Sequence, residues 1–395
     1  MVIGVVTLRQ QYAHLPKICF GFGTLSFIEE TLQRFRGEHL LVISDRQHHD
    51  TNLLEKIERM AENDEIQIHI HIAESSELEL GASGPFFCFD RKFAGIVAFG
   101  GMKLLNYAKW KALEQANEGD VLEKLMRKEP LQKGIPLISI PMTITTGIEA
   151  SPHVFSIRKD EITFVTHPFF TPSLVIYDPN LTIASSPYER SALGLLNLAN
   201  SLESYFLLQQ EPFLECLTLK AIKLILTNML RVTYKQRDLS ALEALVKASM
   251  LNGIVQHASP LRHVFHSFVQ PLLQHGRVPY EIATSVMLPY VIELFQKKHD
   301  GRGQNIVREL GFRINDDRQV YTYLKARIAN MIRTIGFPNK LSALPIRKAD
   351  LSSLAEKAYN LYLSAHEGKT AWTEKDFLKI YENAYSGKIK SFYHF

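Results

Sequence analysis

Five short apolar runs punctuate the first half of the chain and then stop. They read HLLVISD (39–45), IQIHIHI (66–72), AGIVAFG (94–100), PLISIP (136–141) and SLVIYD (173–178). Each has the length of a strand, and most are near-continuously apolar, as strands buried on both faces of a sheet are. Helical patterns separate several of them, such as TNLLEKIERMAEN after the first. That alternation predicts a largely parallel sheet with helices on its faces. From about Pro187 the texture changes to long helical patterns, among them LKAIKLILTNMLRVTYKQ and SALEALVKASMLNGIVQH. The chain is therefore expected to form an α/β domain over 1–186 and an all-α domain over 187–395, divided in the turn-rich DPNLTIASSP stretch.

Composition narrows the function classes. With 395 residues, 46% hydrophobic and 22% charged, the chain can bury a large core. Its 45 basic and 41 acidic residues are interspersed without a stripe or tail, which argues against a nucleic-acid partner. Cys19, Cys88 and Cys216 are sparse, odd in number and far apart, the usage of a reducing compartment, so a cytoplasmic location is expected. The start, MVIGVVTLRQQYAHLP, has no basic n-region, and no run reaches 18 apolar residues, so neither a signal peptide nor a membrane span is expected.

Four stretches offer chemistry. Asp45 ends the first apolar run, where an acid in a nucleotide fold binds a ribose hydroxyl; a helix cap explains it as well. AFGGMKLLNYAKWKA is a strand, a Gly100-Gly101 turn and a helix, a geometry that suits a pyrophosphate, with Lys103 beside it; ordinary turns also need glycine. In PMTITTGIEAS, Thr143, Thr145 and Thr146 could bond a cofactor, or Thr146 and Glu149 could form a capping box. QHASPLRHVFHSFVQPLLQHG holds His257, His263, His266 and His275 without an accompanying carboxylate. A fifth stretch, GLLNLANSLESYF (194–206), places Leu195, Leu198, Leu202 and Tyr205 at helical spacing and carries a polar stripe of Asn197, Asn200, Ser201 and Ser204.

In order and spacing these pieces resemble the iron-containing alcohol dehydrogenases of the dehydroquinate synthase-like superfamily. The likeness runs from PKICFGFGTL through TPSLVIYDPNLT and GLLNLANSLESY to VPYEIATSVMLPYV. It implies a Rossmann-like N-terminal domain, a helical C-terminal domain and an active site in the cleft between them. It also implies oxidation of an alcohol, or reduction of a carbonyl, with NAD, and a small-molecule substrate. A homodimer is expected on the same ground. The family's ribose-binding acid falls on Asp45. Its GGGSxxDxAK turn falls on residues 100–109, keeping Gly100, Gly101, Ala108 and Lys109 but placing Met102, Lys103 and Asn106 at the third Gly, the Ser and the Asp. Thr143 and Thr146 match its threonine loop, Leu181 is assigned with these residues to the cofactor, and a family lysine falls on Ile162.

The metal ligands depart further. The family's helix motif GxDALxHAxExY falls without a gap on Gly194 to Tyr205, so the ligand Asp is Leu196 and the first ligand His is Asn200. The two later ligand histidines fall on His266 and Tyr280, and a neighbouring active-site His on Gln270. Leucine cannot ligate, and one imidazole does not make a divalent-ion site. No iron or zinc is expected at the usual position, although a rewired site from His257, His263 or His275 stays open. His266, Tyr280 and Gln270 are then the expected catalytic residues. Two other readings remain: a catalytically inactive relative kept for nucleotide or protein binding, and a synthase on the same fold.

Overall fold

The structure, a computed structural model, describes residues 15–48, 52–80, 92–158, 161–208, 211–235, 237–259, 264–297, 301–366 and 372–389. Cys88, His263 and the first fourteen residues lie outside the described residues.

The first half runs β1 (Lys17–Phe20), α1 (Phe27–Leu32), β2 (His39–Asp45), α2 (Asn52–Asn63), β3 (Gln67–Ala73), α3 (Ser75–Leu80), β4 (Gly95–Gly100), α4 (Met102–Glu114), α5 (Val121–Met126), β5 (Leu137–Pro141), β6 (His153–Arg158), β7 (Glu161–Thr166) and β8 (Leu174–Tyr177). Six strands form one parallel sheet in the order β1-β8-β5-β4-β2-β3. All five apolar runs of the sequence are strands of this sheet. Alternation within β2 explains its layering, because successive side chains of a strand point to opposite faces. Leu40 and Val42 pack on one face with Ile28 and Leu32 of α1 and Leu53 and Ile57 of α2. Leu41 and Ile43 pack on the other with Leu104, Leu105 and Ala108 of α4. The antiparallel ribbon β6–β7 stands outside this sheet and was not among the five runs.

The chain then turns helical. Ser186 caps α6 (Pro187–Leu207) by accepting from the Glu189 N–H at 3.1 Å, with Pro187 in the first helical position, where its missing N–H costs nothing. There follow α7 (Pro212–Tyr234), α8 (Leu239–Ala258), α9 (Val264–Gly276), α10 (Tyr280–Gln296), α11 (Arg302–Glu309), α12 (Asp317–Ile335), α13 (Leu351–Ala365) and α14 (Glu374–Ser386). Leu195, Leu198, Leu202 and Tyr205 of α6 are fully buried in the core of this bundle. No helix among the described residues is long and apolar enough to cross a membrane.

The two halves meet where the loop after β5 lies against α8. Ser249 donates to the Thr145 carbonyl at 2.7 Å, and Gln256 donates to the Thr146 carbonyl at 2.7 Å. Between these bonds Gly147 touches Gly253 backbone to backbone. Gly147 has φ +89°, and a Cβ on it would stand 2.2 Å from the Gly253 nitrogen. Gly147→Ala meets both a left-handed backbone and a rigid neighbour, so a loss of about 3 kcal/mol is expected in urea unfolding. Gly101→Ala, where φ is negative and the nearest atom would be 3.8 Å away, should cost less than about 0.5 kcal/mol.

Candidate active site

A cleft of about 850 Å³ runs between the sheet's carboxyl edge and the helical half. Its position follows from topology. From β2 the chain builds outward to β3, then returns to place β4 on the other side of β2, so the loops after β2 and β4 part and leave a crevice between them.

At that end the cleft is lined by Asp45, Gln47, His48, Gly101 and Lys103. Asp45 Oδ1 accepts from the Gln47 and His48 N–H groups, each at 3.0 Å, and pairs with His48 Nδ1 at 2.6 Å. The acid thus caps the loop after β2, not a helix, and lines the cleft. Gly100 is required by closeness: a Cβ there would meet Leu104 at 2.6 Å and Asp45 Oδ2 at 3.0 Å. Gly101 caps α4 with extended backbone and no side-chain hydrogen bond, leaving the helix N-terminus open. Met102 is tied to the threonine loop by a 3.4 Å contact from the Thr146 hydroxyl to its sulfur.

One buried cation shapes the loop behind. Lys109 of α4 donates to the carbonyls of Ile148, Ser151 (2.6 Å) and His153 (2.9 Å). Burial pushes its pKa down to about 7, while the charge of Glu149 acts in the opposite direction. The ammonium form has the three N–H donors that three carbonyls take. Glu149 is fully buried, and its Oε1 accepts from the Thr145 and Tyr177 hydroxyls, each at 2.6 Å. The capping-box alternative for Thr146 and Glu149 is thereby replaced: Gly147 leads into a short 3-10 turn and the carboxylate turns inward.

At the other end Leu196, Asn200, His266 and Tyr280 line the cleft together with Glu203. The hairpin adds Phe155, Ile157, Ile162 and Phe164, and Phe164 meets the His266 ring edge to face at 4.9 Å. The Tyr280 hydroxyl lies 3.5 Å from His266 Nδ1. Burial, with the Glu203 charge adding to it, raises the Tyr280 pKa, so the phenol keeps its proton at neutral pH.

The polar stripe of α6 divides in two. Asn197 and Ser201 face inward: Asn197 donates to Ser249 at 3.2 Å, and Asn252 donates to Ser201 at 2.7 Å and to Asn197. Asn200 faces the cleft.

Several sequence assignments need correcting. Asn106 is not a cofactor contact; its amide bonds both polar groups of the Phe155 backbone, at 2.8 and 2.9 Å, and so fastens the hairpin. Gln270 is buried away from the cleft lining, where its Oε1 accepts from the Ile162 N–H at 3.1 Å. It holds β7 on α9. Thr143 is buried, donates to the Ile144 carbonyl at 3.2 Å, and holds its Oγ1 3.8 Å from the point a Gly101 Cβ would occupy, beside the glycine turn; Leu181 packs against the core of the sheet, away from the cleft lining. His275 pairs with Asp350 at 3.0 Å, away from the cleft lining. Among the described residues no group of three or more His, Cys, Asp or Glu side chains is placed to hold a metal ion.

The sequence reading passed over Gln47, His48, Glu189 and Gln256, which also line the cleft. The alternating HVFSIR and EITFVT runs carried the signal for the hairpin. Glu189 had no distinguishing signal, since an acid in the first turn of a helix is ordinary. Replacing Lys109 with Met removes the lysine's bonds to the Ser151 and His153 carbonyls and leaves the Ile148 carbonyl to the Ser151 hydroxyl and N–H, so a loss of about 3 kcal/mol is expected in denaturant unfolding.

The match to known proteins spans both halves. The model of the iron-containing alcohol dehydrogenase family matches residues 16–179, and that of the Fe-containing alcohol dehydrogenase family's C-terminal domain matches residues 192–385. Long-chain-alcohol dehydrogenase 1 of Geobacillus thermodenitrificans is 25% identical over 378 residues, covering 93% of this chain and 95% of its own. The crystal structure of a 1,3-propanediol oxidoreductase superposes with a TM-score of 0.81 at 21% identity, covering 95% of this chain and 100% of the other. Sulfoacetaldehyde reductase from Bifidobacterium kashiwanohense, solved in complex with NAD+, superposes with a TM-score of 0.81 at 18% identity over 96% of this chain and 99% of its own.

Proposed function

The chain belongs to the iron-containing alcohol dehydrogenase family, and on that premise we propose that it passes hydride between NAD(H) and a small-molecule alcohol or carbonyl with no iron or zinc held at the family position. It is an alcohol dehydrogenase-like oxidoreductase; NAD and the absence of the metal are the proposed parts.

The cofactor reading is supported by the crevice at the switch point. The open N-terminus of α4 behind Gly101 offers N–H donors to a diphosphate, and Asp45 stands where an adenosine ribose would be bonded. The relative solved with NAD+ shares this fold.

The metal-free reading rests on one observation, the donor set. The four positions that carry ligands in the family do lie along one end of the cleft, but they bring a hydrocarbon (Leu196), a neutral amide (Asn200), an imidazole (His266) and a protonated phenol (Tyr280). A divalent transition ion needs three or four good donors, so these residues do not fit one. They do fit a hydrogen-bonding site for a carbonyl oxygen.

A bound nicotinamide supplies the hydride in the reductive direction. The residues of the chain then have two tasks. Tyr280, whose raised pKa keeps it protonated, donates a hydrogen bond to the carbonyl oxygen and transfers its proton as negative charge develops there. His266, at 3.5 Å, returns a proton to the phenolate oxygen and recovers it from solvent. The Phe155, Ile157 and Phe164 side chains of the hairpin exclude water and favour an apolar substrate body.

NADH oxidation by a panel of aldehydes and keto-acids is expected to persist in the presence of chelator, and purified protein is expected to carry sub-stoichiometric iron and zinc. Activity lost on chelation and restored by either metal would overturn the metal-free reading. Tyr280→Phe should lower kcat about 100-fold while leaving the NADH Kd unchanged.

A further inference from the structure

Two carboxylates look onto the glycine turn from opposite walls of the cleft. Asp45 Oδ2 stands 3.0 Å from the point a Gly100 Cβ would occupy, and Glu189 Oε1 stands 3.9 Å from the corresponding point at Gly101. Asp45 is built into its loop by three hydrogen bonds to its other oxygen. Glu189 is held more loosely. It comes from the first turn of α6, in the helical half, and its Oε2 accepts from Gln47 Nε2 at 3.4 Å.

The charged groups around Glu189 compensate it only in part, through the charges of His48 and Arg190. From the β2 side it faces Asp45 and His48, and the imidazole of His48 is already paired with Asp45 at 2.6 Å. From α4 the exposed Lys103 lines the same cleft, and among the described residues it forms no ion pair with Glu189. On α6 itself the neighbouring Arg190 is buried and directed away, donating to Ser185 Oγ at 3.1 Å and to the Ile183 carbonyl. A diphosphate seated on the Gly101 turn therefore gains the N–H groups of α4 and meets the Glu189 carboxylate.

We propose that Glu189 is an affinity-determining residue of the nucleotide site: its carboxylate opposes the diphosphate, so the site takes up a proton with the dinucleotide. This inference rests on the cofactor reading above and assigns a further residue to that site. Burial raises the Glu189 pKa, the His48 charge and the Gln47 bond work against that rise, and the Asp45 charge adds to it. The sign follows. As pH falls through this raised range the carboxyl takes its proton, the repulsion disappears and nucleotide affinity increases; as pH rises the affinity is lost.

The test is calorimetric titration of the full chain, wild type and Glu189→Gln, with NADH and with adenosine, which lacks phosphate. Near pH 8 the variant is expected to bind NADH about tenfold more tightly than the wild type, with equal adenosine affinity. Near pH 6 the difference between the two proteins should shrink, because the wild-type carboxyl, with its raised pKa, is then more protonated than at pH 8. Equal NADH affinity in both proteins at both pH values overturns the proposal, as does a gain for adenosine as large as that for NADH. Failure of both proteins to bind NADH at millimolar concentration overturns the cofactor reading itself, and the role of Glu189 with it. Glu189→Ala provides a second neutral variant, and thermal midpoints identify any loss due to misfolding.

Discussion

The loop behind the cleft is organised by one buried lysine that gathers three carbonyls. Lys109 draws the backbone at Ile148, Ser151 and His153 around its Nζ. The turn itself satisfies the Ile148 carbonyl through Ser151, while the Ser151 and His153 carbonyls take Lys109, and a buried carbonyl left bare costs more than a normal hydrogen bond contributes. With the loop fixed, Glu149 turns inward to Thr145 and Tyr177, Gly147 is pressed onto Gly253, and the hairpin begins at His153. His153 Nε2 then meets the Gln256 carbonyl of α8 at 2.7 Å. The two halves of the chain are joined at this point by these hydrogen bonds and by an apolar cluster in which Ala150, Val175 and Tyr177 meet Val246 of α8. Such a joint sets the distance between the walls of the cleft.

On the family correspondence read from the sequence, Gly100, Lys109, Gly147 and Glu149 keep the family's residue types, and each meets a steric or hydrogen-bonding demand. The departures fall in two places: Met102, Lys103, Leu196, Asn200 and Tyr280 line the cleft, whereas Asn106 and Gln270 are buried, where each satisfies backbone of the β6–β7 ribbon. Family resemblance over the whole chain is compatible with both, because a close steric approach admits one residue type while a hydrogen-bonding demand often admits several.

The same division decided what could be read from the sequence. HLLVISD declared a strand buried on both faces, and Leu40 and Leu41 do pack on opposite faces of the sheet. The helix of GLLNLANSLESYF was legible from its leucines, but its polar stripe was not, because spacing cannot tell an amide that bonds Ser249 from one that faces a cavity. Asn106 and Gln270 were placed in the site by alignment, yet each satisfies backbone groups of the β6–β7 ribbon. A buried amide is a versatile partner for unpaired backbone, and that use leaves no periodic mark. Glu189 lay hidden for the opposite reason: its position in a first helical turn is so common that its reach to the glycine turn is visible only in three dimensions.

On the metal-free reading, the changes at the ligand positions form one physical event rather than three. A carboxylate facing an imidazole in a partly buried cleft is tolerated while a cation lies between them. Without the cation it becomes a desolvated charge with no partner, at a cost of several kcal/mol. Leu196 removes that charge and continues the apolar wall toward Phe155 and Phe164. Asn200 keeps polarity without ionising, and Tyr280 supplies a proton where an imidazole would supply a lone pair. His266 then has a donor hydroxyl at 3.5 Å in place of an ion. What such a site retains is the ability to stabilise negative charge on a substrate oxygen, now by hydrogen bonds aimed from a dry wall. Its strength depends on how rigidly Tyr280 is held, which returns the chemistry to the packing of α9, α10 and the hairpin that Gln270 fastens between them.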